Sequence, residues 1–213
     1  MFNFSNQAWP TRPNAKLLGF GFLMALGSSF GQTYFIGVFG PEIREEFDLT
    51  QTSWSAIYMI GTLGSALVLP WTGQQIDRIT LKKYTFFVII ALAWGATFIA
   101  LVPSTILLIM AIFFLRQSGQ GLMSHTSSTT MARYFDKNRG KAVAFSSLGF
   151  AVGEAVLPVL MVMTITLIGW RASYGLSALV TVLIILPVAM WLLSGYDFHS
   201  DRHKTARASG ARD

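Results

Sequence analysis

The sequence predicts an all-α membrane protein with six transmembrane helices, on three observations. Only 12% of the 213 residues are charged and 53% are hydrophobic, where a soluble domain carries about 25% charged residues. Six apolar runs each come near the roughly 20 residues that a helix needs to cross the hydrocarbon core. The basic residues then fall almost entirely on one side of those runs. Frequent Phe (17) and Gly (19) fit helices that pack closely in lipid.

The first run covers 17–40 and is closed by Pro41. Arg12 and Lys16 precede it as they would a secretory leader, but it is long for one and no A-x-A site follows. The second covers 53–72, and the third covers 84–102 and stops at Pro103. The fourth begins near Thr105, is apolar to Met123 and carries a polar extension to Met131. The fifth covers 142–168 and the sixth 172–193. Pro158 and Pro187 interrupt the last two and are expected to bend them. The domain plan is an N-terminal stretch 1–16, a bundle 17–194 and a polar, basic tail 195–213 that reads as a linker.

Six crossings put both termini on one side. That side holds Arg12, Lys16, Arg78, Lys82, Lys83, Arg133, Lys137, Arg139, Lys141 and the basic tail; the other holds Arg44 and Arg171. The positive-inside rule places both termini in the cytoplasm; the expected location is a bacterial inner membrane. The net charge of +6 is thereby a topology signal, and nucleic acid drops out as a partner. With no cysteine there is no thiol chemistry, and no metal-ligand set appears. An intramembrane serine protease would need a histidine on a second segment, but His125 is the only histidine outside the tail. An enzyme is not expected, and neither is a cofactor.

Arg116 lies about 11 residues into the fourth run, roughly 17 Å deep, near the middle of a core about 30 Å thick. Charge at that depth costs at least about 2.5–3.5 kcal/mol, so it marks a functional site by default. Glu154 lies at similar depth on the next run. The two suggest either an ion pair or a shared aqueous cavity, and Glu154 is the candidate for proton coupling. Gln32 and Tyr34, in "SSFGQTYFIG", offer uncharged hydrogen bonds to a solute, although Tyr34 also fits an interface anchor. His125 titrates near neutral pH when unperturbed, although a helix-end histidine bonded to backbone fits it as well. Gly149 and Gly153 form a G-x-x-x-G suited to close helix packing, and Gly61 with Gly64, spaced by three, and Gly27 with Gly31 do similar work.

"GQQIDRITLKK" (73–83) resembles the signature loop of the major facilitator superfamily, with Gly73, Asp77, Arg78 and Lys82 matching by position or charge. Thr80 and Leu81 depart from that pattern. "RQSGQG" (116–121) is similar to the family's fourth-segment signature. "GFAVGEAVLP" (149–158) stands where an antiporter motif would be but lacks its Gly-Pro pair, and "GWR" (169–171) is also familiar. The resemblance reaches most specifically toward the monocarboxylate and oxalate/formate porters. It implies two inverted three-helix repeats forming half of a twelve-helix transporter that works by alternating access. It puts Gln32, Tyr34 and Arg116 in a solute cavity, with Arg116 drawing an anionic solute. It makes Asp77 a gating acid with Arg133 as its partner. A second six-helix half, as another chain or a continuation, is then expected, since the sequence ends in what resembles the central linker. Transport of a small anionic organic solute, with or without protons, follows from the resemblance; a non-transporting membrane scaffold is the other reading.

Overall fold

In lipid an apolar segment must satisfy its own backbone N–H and C=O groups, and the helix is the local way to do so. A computed structural model describes residues 12–135 and 138–194, and these are helical nearly throughout. The tail 195–213 and most of the N-terminal stretch lie outside the described residues. The helices are α1 (Arg12–Gly27), α2 (Thr33–Val38), α3 (Gly40–Glu46), α4 (Gln51–Gly73), α5 (Gln75–Arg78) and α6 (Leu81–Ala100). Then come α7 (Thr105–Leu115), α8 (Ser124–Tyr134), α9 (Arg139–Val180) and α10 (Leu186–Leu192). No strand occurs among the described residues.

Four stretches among the described residues are long and apolar enough to cross a membrane: Gln51–Arg78, Leu81–Ala100, Thr105–Tyr134 and Arg139–Leu192. A fifth is the bent pair Ala15–Val38 and Gly40–Glu46, which meet at 63°. The last stretch, at 54 residues, would be roughly 80 Å long if straight, far beyond one crossing. It is broken at Gly169, whose φ of 78° and ψ of 162° end one arm and start the next. That left-handed φ is open to glycine and strained for any residue with a Cβ. The chain doubles back there: the Ser177 hydroxyl lies 3.8 Å from Met161 Sδ, a contact a continuous helix could not make.

The first run is not the single helix its composition suggests. Between α1 and α2 the chain tightens into a 3₁₀ turn at Ser28–Gly31 and then extends at Gln32, with ψ near 157°. The fourth run is interrupted differently, by a π-helical segment at Arg116–Met123 joining α7 to α8. A second π segment, Thr181–Ile185, leads into α10, which carries Pro187 in its first turn. Widening the preceding turn accommodates a proline that lacks an N–H and would crowd the carbonyl before it.

Packing between the two halves of the chain is reciprocal. Gly61 of α4 sits on α7, where a Cβ would come 3.0 Å from the Ile109 carbonyl oxygen. Gly149, about 88 residues later, sits on α1, where a Cβ would come 2.4 Å from the Phe22 carbonyl oxygen. One apolar core runs through the bundle, and where the end of α2 meets the arm after Gly169, Phe39 stacks on the fully buried Tyr174 at 3.9 Å, with Phe35 packed against both.

Candidate functional site

The breaks in the first and fourth runs face each other, and the glycines let them touch. A Cβ on Gly31 would lie 2.2 Å from the Leu115 carbonyl oxygen and 2.8 Å from Gly119 Cα; one on Gly119 would lie 2.6 Å from Gly31 Cα. The backbones are thus in direct contact. π-Helical turns occur often at functional sites, and here the π segment starts at Arg116.

Arg116 is buried, with 6% of its surface exposed. Its Nη1 donates to the Gly31 carbonyl and to Thr33 Oγ1, both at 3.2 Å. The Tyr58 ring lies 5.4 Å from its guanidinium carbon, and the Tyr58 hydroxyl donates to the same Thr33 oxygen at 2.8 Å. Arg116 Nε is buried and has no partner. A buried donor left unmet costs about 1–3 kcal/mol, more when charged. The surroundings of the guanidinium are therefore polar and aromatic, supplied by three elements.

From Arg116 a polar band continues across α2 to α9. Thr33 is exposed and Gln32 half-buried. The Tyr34 hydroxyl donates to Ser29 Oγ at 2.7 Å. Gly153 lies against this pair, where a Cβ would meet Ser29 Oγ at 2.0 Å. Glu154, one residue on, is exposed beside Tyr34. Arg116 and Glu154 form no ion pair among the described residues. Of the two relations the sequence suggested, direct pairing is the one the structure does not make.

Gln117, next to Arg116, points the other way and ties the π segment to α4. It accepts from the Ser65 hydroxyl at 3.0 Å and donates to Thr72 Oγ1 at 2.6 Å. Tyr58, Thr33, Gln117 and Ser65 were not singled out from the sequence. A tyrosine or threonine in an apolar run carries no signal until its distant partner is placed beside it.

At the Asp77 end of the bundle, Arg133 of α8 forms an ion pair with Asp77 of α5. Both side chains are substantially exposed, 45% and 60%, so the pair contributes at most about 1 kcal/mol to stability. Gly73 closes α4 next to the His125 ring, 3.8 Å from where its Cβ would be. His125 Nε2 lies 3.4 Å from Thr129 Oγ1, and its Nδ1 is unpartnered. His125, Asp77, Thr129 and Gly73 line a cavity of about 430 Å³ between α4 and the fourth run. Arg78 ends α5 in an exposed position, and Lys82 is half-buried in the first turn of α6. At the opposite end Glu46 accepts from Trp170 Nε1 (2.6 Å) and from Arg171 Nη2 (2.6 Å) and Nε (3.0 Å). Arg171 also donates to the Ala100 and Val102 carbonyls, 2.8 Å each. The Arg171 hydrogen bond holds the Glu46 carboxyl below the usual carboxylate range; the Trp170 bond and the Arg171 charge add to this, against partial desolvation.

The family model of the Major Facilitator Superfamily matches residues 21–212. The chain belongs to the Major Facilitator Superfamily. It is an integral membrane protein with an all-α fold of that family. It is 25% identical over 173 residues to the probable sulfoacetate transporter SauU of Cupriavidus necator, a match covering 78% of this chain and 38% of that relative. The chain thus spans under two-fifths of the length of the relative it matches.

Proposed function

We propose that this chain forms the amino-terminal half of a secondary transporter that carries a small organic anion by alternating access. The observation that carries the reading is the setting of Arg116. A buried guanidinium is held by a broken helix and a threonine, with one donor unmet, at the edge of an exposed polar band. Discontinuous helices with freed backbone groups near the midplane are where transporters of this kind bind solute. The relative is a probable transporter of sulfoacetate, a small organic acid, which supports an anionic solute here.

On this reading the chain crosses the membrane six times, with the reversal at Gly169 dividing its last stretch into the fifth and sixth crossings. Residues 17–194 are the bundle, both termini are cytoplasmic, and the membrane is a bacterial inner membrane. A second six-helix half covers the polar band, so that Arg116, Gln32, Tyr34 and Glu154 line one passage. Glu154 carries the proton if transport is proton-coupled symport. Asp77 and Arg133 form part of the cytoplasmic gate with Gly73, Arg78 and Lys82, and His125 sits behind it.

The test is a solute-panel uptake assay in proteoliposomes, using the whole protein as its gene encodes it. The reading expects uptake of one or more small organic acids, abolished in Arg116→Gln. Absence of uptake for every acid in the panel, with correctly inserted protein, would overturn it. Glu154→Gln with unchanged uptake and unchanged pH dependence would remove the proton-coupled version. Neutralising Asp77 should reduce turnover far more than binding; equal losses would count against its gating role.

A further inference from the structure

Both hydrogen bonds of Arg116 run through Nη1, to the Gly31 carbonyl and to Thr33 Oγ1. On the opposite edge of the guanidinium Nε is buried without a partner, and the Tyr58 side chain is its polar neighbour. That edge is the fork that grips two oxygens of one acid group side-on. Thr33 Oγ1 takes a second hydrogen bond from Tyr58, whose ring also lies over the guanidinium. Thr33 and Tyr58 thus hold the roll of a planar group that a single bond to Gly31 would leave free to turn. Gly31 itself is held by backbone contact with Gly119, so the whole mount is rigid.

We propose that Thr33 and Tyr58 are specificity-determining residues that clamp Arg116 so that its Nε–Nη2 edge receives an acid group presenting two oxygens side-on, a carboxylate or a sulfonate. This rests on the functional reading above and names the recognition chemistry of that same site. Thr33 is exposed and Tyr58 only half-buried, so the clamp stands at the open polar band from which the acid approaches. The proton inventory fits: arginine stays charged at any accessible pH and offers donors only, which match an ionised acid group. A lysine offers the same charge as a point and no fork.

The experiment is isothermal titration of the whole purified protein with acetate, methanesulfonate and sulfoacetate, followed by the same titrations on variants. Acetate and methanesulfonate distinguish a carboxylate from a sulfonate as the gripped group; sulfoacetate carries both. Wild type should bind at least one of the three. Arg116→Lys, which keeps the charge, should weaken that binding roughly tenfold or more. Thr33→Val and Tyr58→Phe should each weaken it several-fold, and Thr33→Ser, which keeps the oxygen, should restore it. Thermal melts of each variant within a few degrees of wild type separate recognition from folding. If wild type binds none of the three acids, this proposal falls, and the parent reading falls with it only if the uptake panel is also empty. If wild type binds but Arg116→Lys binds equally well, the fork is wrong and the parent reading stands. If Thr33→Val and Thr33→Ser behave alike, the clamp is wrong.

Discussion

The contact between Gly31 and Gly119 makes the sharpest stability prediction. Replacing Gly31 by alanine would put a Cβ 2.2 Å from the Leu115 carbonyl oxygen, 2.8 Å from Gly119 Cα and 2.9 Å from the Gln120 nitrogen. All three are backbone atoms, so no side chain can rotate away. Ordinary contact begins near about 3.4 Å, so the two breaks must separate by roughly 1 Å. Overpacking of this kind costs about 1–3 kcal/mol, and more where backbone must move. The shift also pulls Gly31 away from Arg116 Nη1, now at 3.2 Å. Gly37, on α2, supplies the control: it is exposed and a Cβ there would meet nothing within 4 Å. Alanine at Gly37 should be neutral or stabilising by up to about 1 kcal/mol through helix propensity. Thermal unfolding in mild detergent, followed by loss of monodisperse elution, should show Gly31→Ala melting well below wild type and Gly37→Ala at or above it. Equal melting of the two variants would refute the claim that the first and fourth runs cross in backbone contact.

Two further predictions concern the Gly169 end. Gly169→Ala should destabilise by about 1–3 kcal/mol through its backbone conformation alone, φ 78° with ψ 162°, since a Cβ there meets nothing within 4 Å; thermal melting of the variant against wild type checks this. The Glu46–Arg171 bond makes stability depend on pH. Because the folded carboxyl titrates below its unfolded value, its contribution is full above the ordinary carboxylate range and fades as pH falls through the depressed folded value. The melting difference between wild type and Glu46→Gln should therefore be present near neutral pH and shrink under acid; a difference that grows toward low pH would contradict the assignment.

The helical class was legible because runs of about 20 apolar residues admit few other structures. The breaks in those runs were not. "SSFGQTYF" reads as helix by composition, and only the crossing with "RQSGQG" explains why it tightens and then extends at Gln32. Counting residues at the helical rise leads one to expect Arg116 and Glu154 at a common depth. Whether they face each other depends on helix rotation, which a count of residues does not fix, and Arg116 turns instead toward Gly31 and Thr33. Tyr58 was invisible for a related reason: its partners, Thr33 and Arg116, lie 25 residues away on α2 in one case and on the fourth run in the other. The Asp77–Arg133 pair was anticipated from the resemblance, whereas the Glu46–Trp170–Arg171 cluster needed the reversal at Gly169 to bring its members together.

The central claim is that the polar band borders a wet passage while other exposed faces meet lipid. Glu154 and Leu183 lie on opposite arms of the Gly169 turn, each about 15 residues from it and so roughly 22 Å along the helix. Both are exposed in the chain, Leu183 by 67%. This segment has no cysteine of its own, so Glu154→Cys and Leu183→Cys can be compared in membranes with a charged, membrane-impermeant thiol reagent. The account predicts labelling at 154 and none at 183; equal labelling, or labelling at 183 alone, would contradict it.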